Sequence, residues 1–238
     1  MTSDIPFQPP PENLKPANGE VHVFYAPLNQ PQERLEQFSK TLSEDENQRA
    51  RRFHFGKDKS RFIAGRGMLR KILGWLLKVK PVDLAFSYGA HGKPRLALPT
   101  AENFLHFNVA HSDSVAVYAF SPVHEVGIDI ERIRPLREVE DMVAHFFSET
   151  ERTQWRSLPA AAKTTAFFNC WVRKEALLKA RGKGIGEPLN SIEVLFGGNF
   201  FSAAPFSLHS LLPALDHVAA VAVKCRDPLI HCWCSDNF

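Results

Sequence analysis

Cysteine is scarce in this chain of 238 residues: Cys170, Cys225, Cys232 and Cys234 are the only four. That is too few, and too clustered, for a disulfide scaffold, so a reducing, cytoplasmic location is expected. The run His231-Cys232-Trp233-Cys234 lacks the second ligand pair that structural zinc needs; thiols on a terminal strand are expected there. Long hydrophobic runs are missing too. No stretch approaches the roughly 18 consecutive apolar residues of a membrane helix, and no membrane partner is expected. The opening MTSDIPFQPPPENLKP has neither the basic nor the apolar segment of a secretory signal. Its five prolines predict a flexible, extended arm over residues 1–18. A strong overall charge is also lacking, at +3, but the charge is unevenly spread. From Arg49 to Lys71 nine basic residues face one acid, Asp58. A local basic patch of this kind seeks phosphates or an acidic partner.

What is present reads as two halves of similar layout, 19–124 and 125–238, each with helices first and short strands after. The first half opens on a strand at 21–26. Ser43 with Glu46 three residues on forms a capping box. Phe62, Leu69, Ile72, Leu73, Leu76 and Leu77 then recur at helical spacing until Pro81. Strand-like runs follow at 84–88, 104–110 and 115–120. The second half opens on the alternating strand VGIDIE, 126–131. Ser148 and Glu151 form a second capping box, and a long helix through FFNCWVRKEALLKA ends at Gly182. Strands are expected at 191–196, 217–223 and 229–234. Helices and strands are segregated rather than strictly alternating, which argues for an α+β fold.

Three features carry chemistry. Period-two alternation puts Asp129 and Glu131 on one face of VGIDIE, with Ile128 and Ile130 on the other. Such carboxylates either share a cation or pair with nearby Arg132 and Arg134. Glu175 and Lys179, four apart in WVRKEALLK, share a helix face, either as an ordinary ion pair or as part of a site. Arg49, Arg52, Lys57 and Arg61 in the basic segment, Lys93 in the tight turn GKP, and His111 after a strand in FNVAHS are candidate phosphate ligands. A solvated basic face and a structural histidine are the plain alternatives. Phe53 and Phe55 are expected in the core, with contact to a partner as the alternative.

In their order along the chain, RRFHF, GKP, FNVAHS, GIDIE and WVRKEALLK resemble the 4′-phosphopantetheinyl transferase superfamily, specifically its monomeric type that modifies carrier proteins. The resemblance covers about residues 43–196, with Asp129 and Glu175 46 positions apart. It implies a pseudo-twofold α+β fold of two similar subdomains with coenzyme A in the cleft between them. It implies transfer of phosphopantetheine to a serine of an acidic, helical acyl- or peptidyl-carrier protein, with release of adenosine 3′,5′-bisphosphate. Asp129, Glu131 and Glu175 then resemble the Mg²⁺ ligands. Lys179 resembles the lysine on the pyrophosphate, and Glu175, directly or through a water, the candidate base. Arg49, Arg61 and His111 fall where the family binds nucleotide phosphates; Lys93 and Pro94 match the turn beside the nucleotide. Two positions depart. Ala110 stands where several relatives have serine, and Glu46 where some have a phosphate-binding lysine, which implies either a weaker grip on the 3′-phosphate or one borne more by Arg49, Arg52 and His111. The rivals are a basic nucleic-acid-binding module and a Mg²⁺-dependent phosphohydrolase; the first leaves GIDIE and the Trp171–Lys179 helix unexplained. No nucleic acid is therefore expected as a partner.

Overall fold

The computed structural model describes residues 5–89, 93–97, 105–182, 187–194 and 200–235, with residues 200–203 as backbone only. In chain order these are β1 (Glu20–Pro27), α1 (Gln32–Ser39), α2 (Glu44–Arg51), α3 (Gly56–Leu77), β2 (Phe86–Tyr88), β3 (Pro94–Leu96), β4 (His106–Ser112), β5 (Val115–Ser121) and β6 (Val126–Arg132). There follow α4 (Val139–Phe146), α5 (Glu149–Ser157), α6 (Ala160–Arg181), β7 (Phe200–Ala203), β8 (Phe206–Ala214), β9 (His217–Val223) and β10 (Leu229–Cys234). Among the described residues, no helix is long and apolar enough to cross a membrane.

The strands form two four-stranded sheets, ordered β10-β1-β5-β4 and β6-β9-β8-β7, and a small β2-β3 hairpin. Every pairing is antiparallel except β1 with β10. Both large sheets are buried on both faces, and the period-two alternation of their strands divides the side chains between two cores. In β5, Ala116, Tyr118 and Phe120 meet Ala64, Met68 and Ile72 of α3. In β9, Val218, Ala220 and Ala222 meet Phe167, Val172 and Ala176 of α6. The opposite faces, Val117 and Ala119 on one sheet and Val221 and Ile128 on the other, share a third cluster between the sheets. Helix, sheet, sheet and helix therefore stack in that order. Each half contributes one 22-residue helix and the body of one sheet, with β10 of the second half added to the edge of the first sheet; this is the pseudo-twofold α+β arrangement.

The edges β4 and β6 lie side by side without a backbone ladder. Two β4 side chains take up the β6 amides instead: Asn108 Oδ1 accepts from Ile128 N at 2.8 Å, and Ser112 Oγ from Arg132 N at 3.1 Å. Both capping boxes form, at Ser43 and Ser148, and Gly182 ends α6 in the left-handed region at φ 68°. The last strand, β10, returns to the first sheet beside β1. The proline-rich arm runs along it: Gln8 exchanges backbone hydrogen bonds with Cys232 and Cys234, and Leu14 is buried. None of the four cysteines is in a disulfide.

The strand expected at 191–196 does not form over its described part. Leu189–Ser191 is a short 3₁₀ turn, and Ile192–Val194 is irregular; residues 195 and 196 lie outside the described residues. The cause is a buried ion pair. Lys174 and Glu151, 2.7 Å apart and both fully buried, claim this segment's backbone. Lys174 Nζ donates to the carbonyls of Leu189 and Ile192, and Glu151 Oε1 accepts from Val194 N. These groups are satisfied by side chains and have no need of a ladder.

Among the described glycines, the closest approach of a neighbouring element is at Gly127, between β6 and α6. A Cβ placed on Gly127 would lie 2.1 Å from the carbonyl oxygen of Ala176 and 2.3 Å from the nitrogen of Ala180. Both neighbours are helix backbone and cannot swing aside. Replacing Gly127 by alanine therefore forces strand and helix apart. A loss of about 3 kcal/mol, the upper end of ordinary overpacking costs, is expected in urea unfolding. A loss below about 1 kcal/mol would show that the approach is not tight.

Candidate active site

The close approach at Gly127 brings the β6 carboxylates against the last turns of α6. Lys179 Nζ lies 2.6 Å from Asp129 Oδ1 and 3.2 Å from the Ile128 carbonyl oxygen. The lysine's partner is thus the strand aspartate, not the Glu175 one turn away on its own helix. Asp129 is buried, and its second oxygen, Oδ2, has no hydrogen-bond partner. Desolvation pushes its pKa up to about 6; Lys179 opposes the rise, and the charges of Glu175 and Glu131 add to it. Glu175 is raised as well, by desolvation first and then by Glu131, with Lys179 opposing. Three carboxylates thus feel one another across a partly dry space. Glu131 is the best satisfied of them: it accepts from Ser112 Oγ at 2.9 Å and from Arg134 Nη1 at 3.4 Å. The arginine-pairing alternative therefore holds for Glu131 and not for Asp129.

Two cavities open beside this cluster and share Pro94 and Val109. One, of about 570 Å³, is lined by Glu175, Lys179 and Asn108 at one end and by Phe146, Leu178 and Leu189 along its wall. The other, of about 540 Å³, contains Arg49, Arg61 and His111 with Phe53 and Phe62. Arg49 stacks on the Phe62 ring, 5.4 Å from its centre. Arg61 is held by Asn29 Oδ1 at 3.1 Å and Asp113 Oδ1 at 2.8 Å. Desolvation, then the charges of Lys179 and Arg61, lower the pKa of His111. The sequence candidates Arg49, Arg61 and His111 are therefore gathered in one cationic cavity, while Glu175 and Lys179 line its neighbour, with Asp129 bonded to Lys179 behind them.

Other expectations fare differently. Lys93 lines the first cavity, but its ammonium donates to the carbonyl oxygens of Lys179 at 2.9 Å and Val126 at 3.1 Å. It ties the β3 end of one half to α6 and β6 of the other, and desolvation, aided by Arg95, lowers its pKa to about 8. Phe53 and Phe55 are not core residues: they are 36% and 67% exposed, because α3 begins at Gly56 and the preceding turn stands clear of the sheet. Glu46 is buried and turned inward, accepting from Arg70 Nε at 2.7 Å and lying 3.3 Å from Arg66 Nε as an ion pair. Its charge is thereby neutralised inside the fold and is not presented to the cavity. Sequence reasoning missed Asn108, Ser112 and Asp113, which lie in or beside FNVAHS; their polar side chains on a buried strand edge were the available signal.

Among the described residues, no three His, Cys, Asp or Glu side chains form a ready-made metal-binding group. The donor chemistry nevertheless suits a hard cation that keeps several waters: Asp129 Oδ2 is buried without a partner, and the carboxylates around it repel one another.

The sequence matches two family profiles in succession. Residues 29–123 match the one described as 4′-phosphopantetheinyl transferase, N-terminal, and residues 125–220 the 4′-phosphopantetheinyl transferase superfamily. The 4′-phosphopantetheinyl transferase HetI of Nostoc sp. is 42% identical over 219 residues, 90% of this chain and 92% of that protein. The 4′-phosphopantetheinyl transferase Sfp of Bacillus subtilis is 30% identical over 176 residues, 74% of this chain and 75% of the relative. Both halves are matched, and a relative of this identity covers nearly the whole length. The chain belongs to the 4′-phosphopantetheinyl transferase superfamily, enzymes that load carrier proteins with phosphopantetheine.

Proposed function

We propose that this protein transfers the phosphopantetheine of coenzyme A to a serine of an apo acyl- or peptidyl-carrier protein, with Asp129 and Glu175 holding Mg²⁺ and Glu131 beside them. The observation that carries the reading is the buried, unpartnered Oδ2 of Asp129, set beside Lys179 and within the electrostatic reach of two further carboxylates. The carrier's serine oxygen attacks the β-phosphorus of coenzyme A. The bond from that phosphorus to the bridging oxygen breaks, and adenosine 3′,5′-bisphosphate leaves with the electron pair. The nucleophile belongs to the partner, so this chain needs no catalytic Ser or Cys.

Phosphoryl transfer of this kind depends on positioning and charge neutralisation. Bound Mg²⁺ would supply the Lewis acidity that offsets charge on the pyrophosphate. Glu175 accepts the serine proton, directly or through a water. Lys179 donates to the pyrophosphate as charge builds there. Arg49, Arg61 and His111 hold the nucleotide phosphates, and Pro94 lines both cavities. Lys93 acts through backbone: it fixes the end of α6 that carries Lys179. In this reading the protein works as a cytoplasmic monomer of two subdomains, 19–124 and 125–238, behind an arm at 1–18.

Incubating the protein with coenzyme A, Mg²⁺ and apo-carrier proteins tests the reading. The carrier should gain about 340 Da, the mass of the moiety moved in this phosphoryl transfer. A phosphohydrolase would consume coenzyme A with no gain on the carrier. Glu175→Gln and Asp129→Ala should each lower turnover about 100-fold or more while the thermal melt stays cooperative; near wild-type transfer by either would contradict the assignment. Arg61→Ala should raise KM for coenzyme A about tenfold, the order of one lost charged hydrogen bond, with a smaller effect on kcat. An unchanged KM would remove Arg61 from the phosphate seat.

A further inference from the structure

The β4–β5 turn carries a charged side chain that this chemistry does not use. Asp113 sits there in the left-handed region, at φ 50°. Its carboxylate reaches in two directions: Oδ1 accepts from Arg61 Nη1 at 2.8 Å, and Oδ2 from Arg132 Nη1 at 3.0 Å. Arg132 is itself anchored, with Nε 2.7 Å from Asp216 Oδ2. The hydrogen bond from Arg61, followed by the charges of Arg61, Arg132 and Lys57, holds the Asp113 carboxyl below its ordinary range. Asp113 and Arg61 line the same cavity as Arg49 and His111. The cavity that gathers Arg49, Arg61, Arg66 and His111 therefore also holds two carboxylates, Asp58 and Asp113, and Asp113 is bonded to one of the cavity's own cations.

Carboxylate and phosphate make the same demand on a guanidinium, a pair of donors in a plane. With Nε on Asn29 and Nη1 on Asp113, Arg61 meets an incoming phosphate already partly neutralised. The Asp113 charge also repels that phosphate across the cavity. We propose that Asp113 is a specificity-determining residue of this seat: by competing for Arg61, it limits how strongly the enzyme prefers coenzyme A to 3′-dephospho-coenzyme A. Arg132 gives the carboxylate a second partner to keep when a phosphate takes Arg61. The inference rests on the reading of Arg61 as a phosphate ligand, and it places the limit on the 3′-phosphate grip at Asp113. Glu46, which the sequence points to instead, has its charge turned inward onto Arg66 and Arg70.

The test compares kcat/KM for coenzyme A with kcat/KM for 3′-dephospho-coenzyme A in four proteins: wild type, Asp113→Asn, Arg61→Ala and the double variant. Asparagine tolerates the left-handed backbone at this position. Asp113→Gly, which suits it better still, repeats the measurement if the asparagine variant folds poorly. Removing one unit charge a few ångströms from a phosphate at a solvated site is worth about fivefold. The preference for coenzyme A should therefore rise about fivefold in Asp113→Asn, collapse in Arg61→Ala, and stay collapsed in the double variant. An unchanged or reduced preference in both Asp113 variants, with the collapse in Arg61→Ala intact, would overturn the role of Asp113. An unchanged preference in Arg61→Ala would overturn the phosphate reading of Arg61 itself.

Discussion

The backbone contact between β6 and α6 is the constraint from which the rest of the site follows. It exists because residue 127 has no side chain: helix atoms occupy the space where a Cβ would be. Two residues along the strand, Asp129 is thereby carried within 2.6 Å of Lys179 and into the field of Glu175. Neither the strand nor the helix is a site by itself. A strand aspartate on a solvated face would keep an ordinary pKa, and a Glu–Lys helix pair is worth only a few tenths of a kcal/mol. Packed against each other, they leave a buried carboxylate oxygen without a protein donor, a position that normally has an explanation such as an ion or a water.

Strand β4 and the turn that follows it perform the second joining. From this one short segment, Asn108 and Ser112 bind the β6 backbone, Ser112 also donates to Glu131, His111 faces the cationic cavity, and Asp113 holds Arg61. The acidic cluster and the cationic cavity are therefore mechanically linked, although they arise from different halves of the chain. Lys93 makes a further tie between the halves, donating across to the last turn of α6. The carbonyls near a helix C-terminus have no partner within the helix, and an ammonium group is a favourable one.

Much of this was legible in the sequence wherever a local rule decides the outcome. Alternation put Ile128 and Ile130 on the buried face away from Asp129 and Glu131, and both capping boxes and the Gly182 cap lie where their spacing predicts. Strand register and helix phase, both short-range, likewise fix the faces that carry Asp129, Glu175 and Lys179, whereas their meeting depends on the packing of β6 on α6. What was not legible depends on long-range partners. The irregular path of Ile192–Val194 is set by Lys174 and Glu151, which come from two other helices. The exposure of Phe55 depends on where α3 starts relative to the sheet, and the inward turn of Glu46 on Arg66 and Arg70, twenty or more residues away. The return of β10 to the first sheet is a topological choice that no local pattern in LIHCWC encodes.

The central claim is that Asp129 and Glu175 together complete a site for one divalent cation. Calorimetric titration of Mg²⁺ into the protein saturated with coenzyme A, with Asp129→Ala and Glu175→Gln alongside, tests it most directly. The account predicts one Mg²⁺ per chain in the wild type and loss of that binding in both variants. No saturable binding to the wild type, or equal binding in the variants, would contradict it.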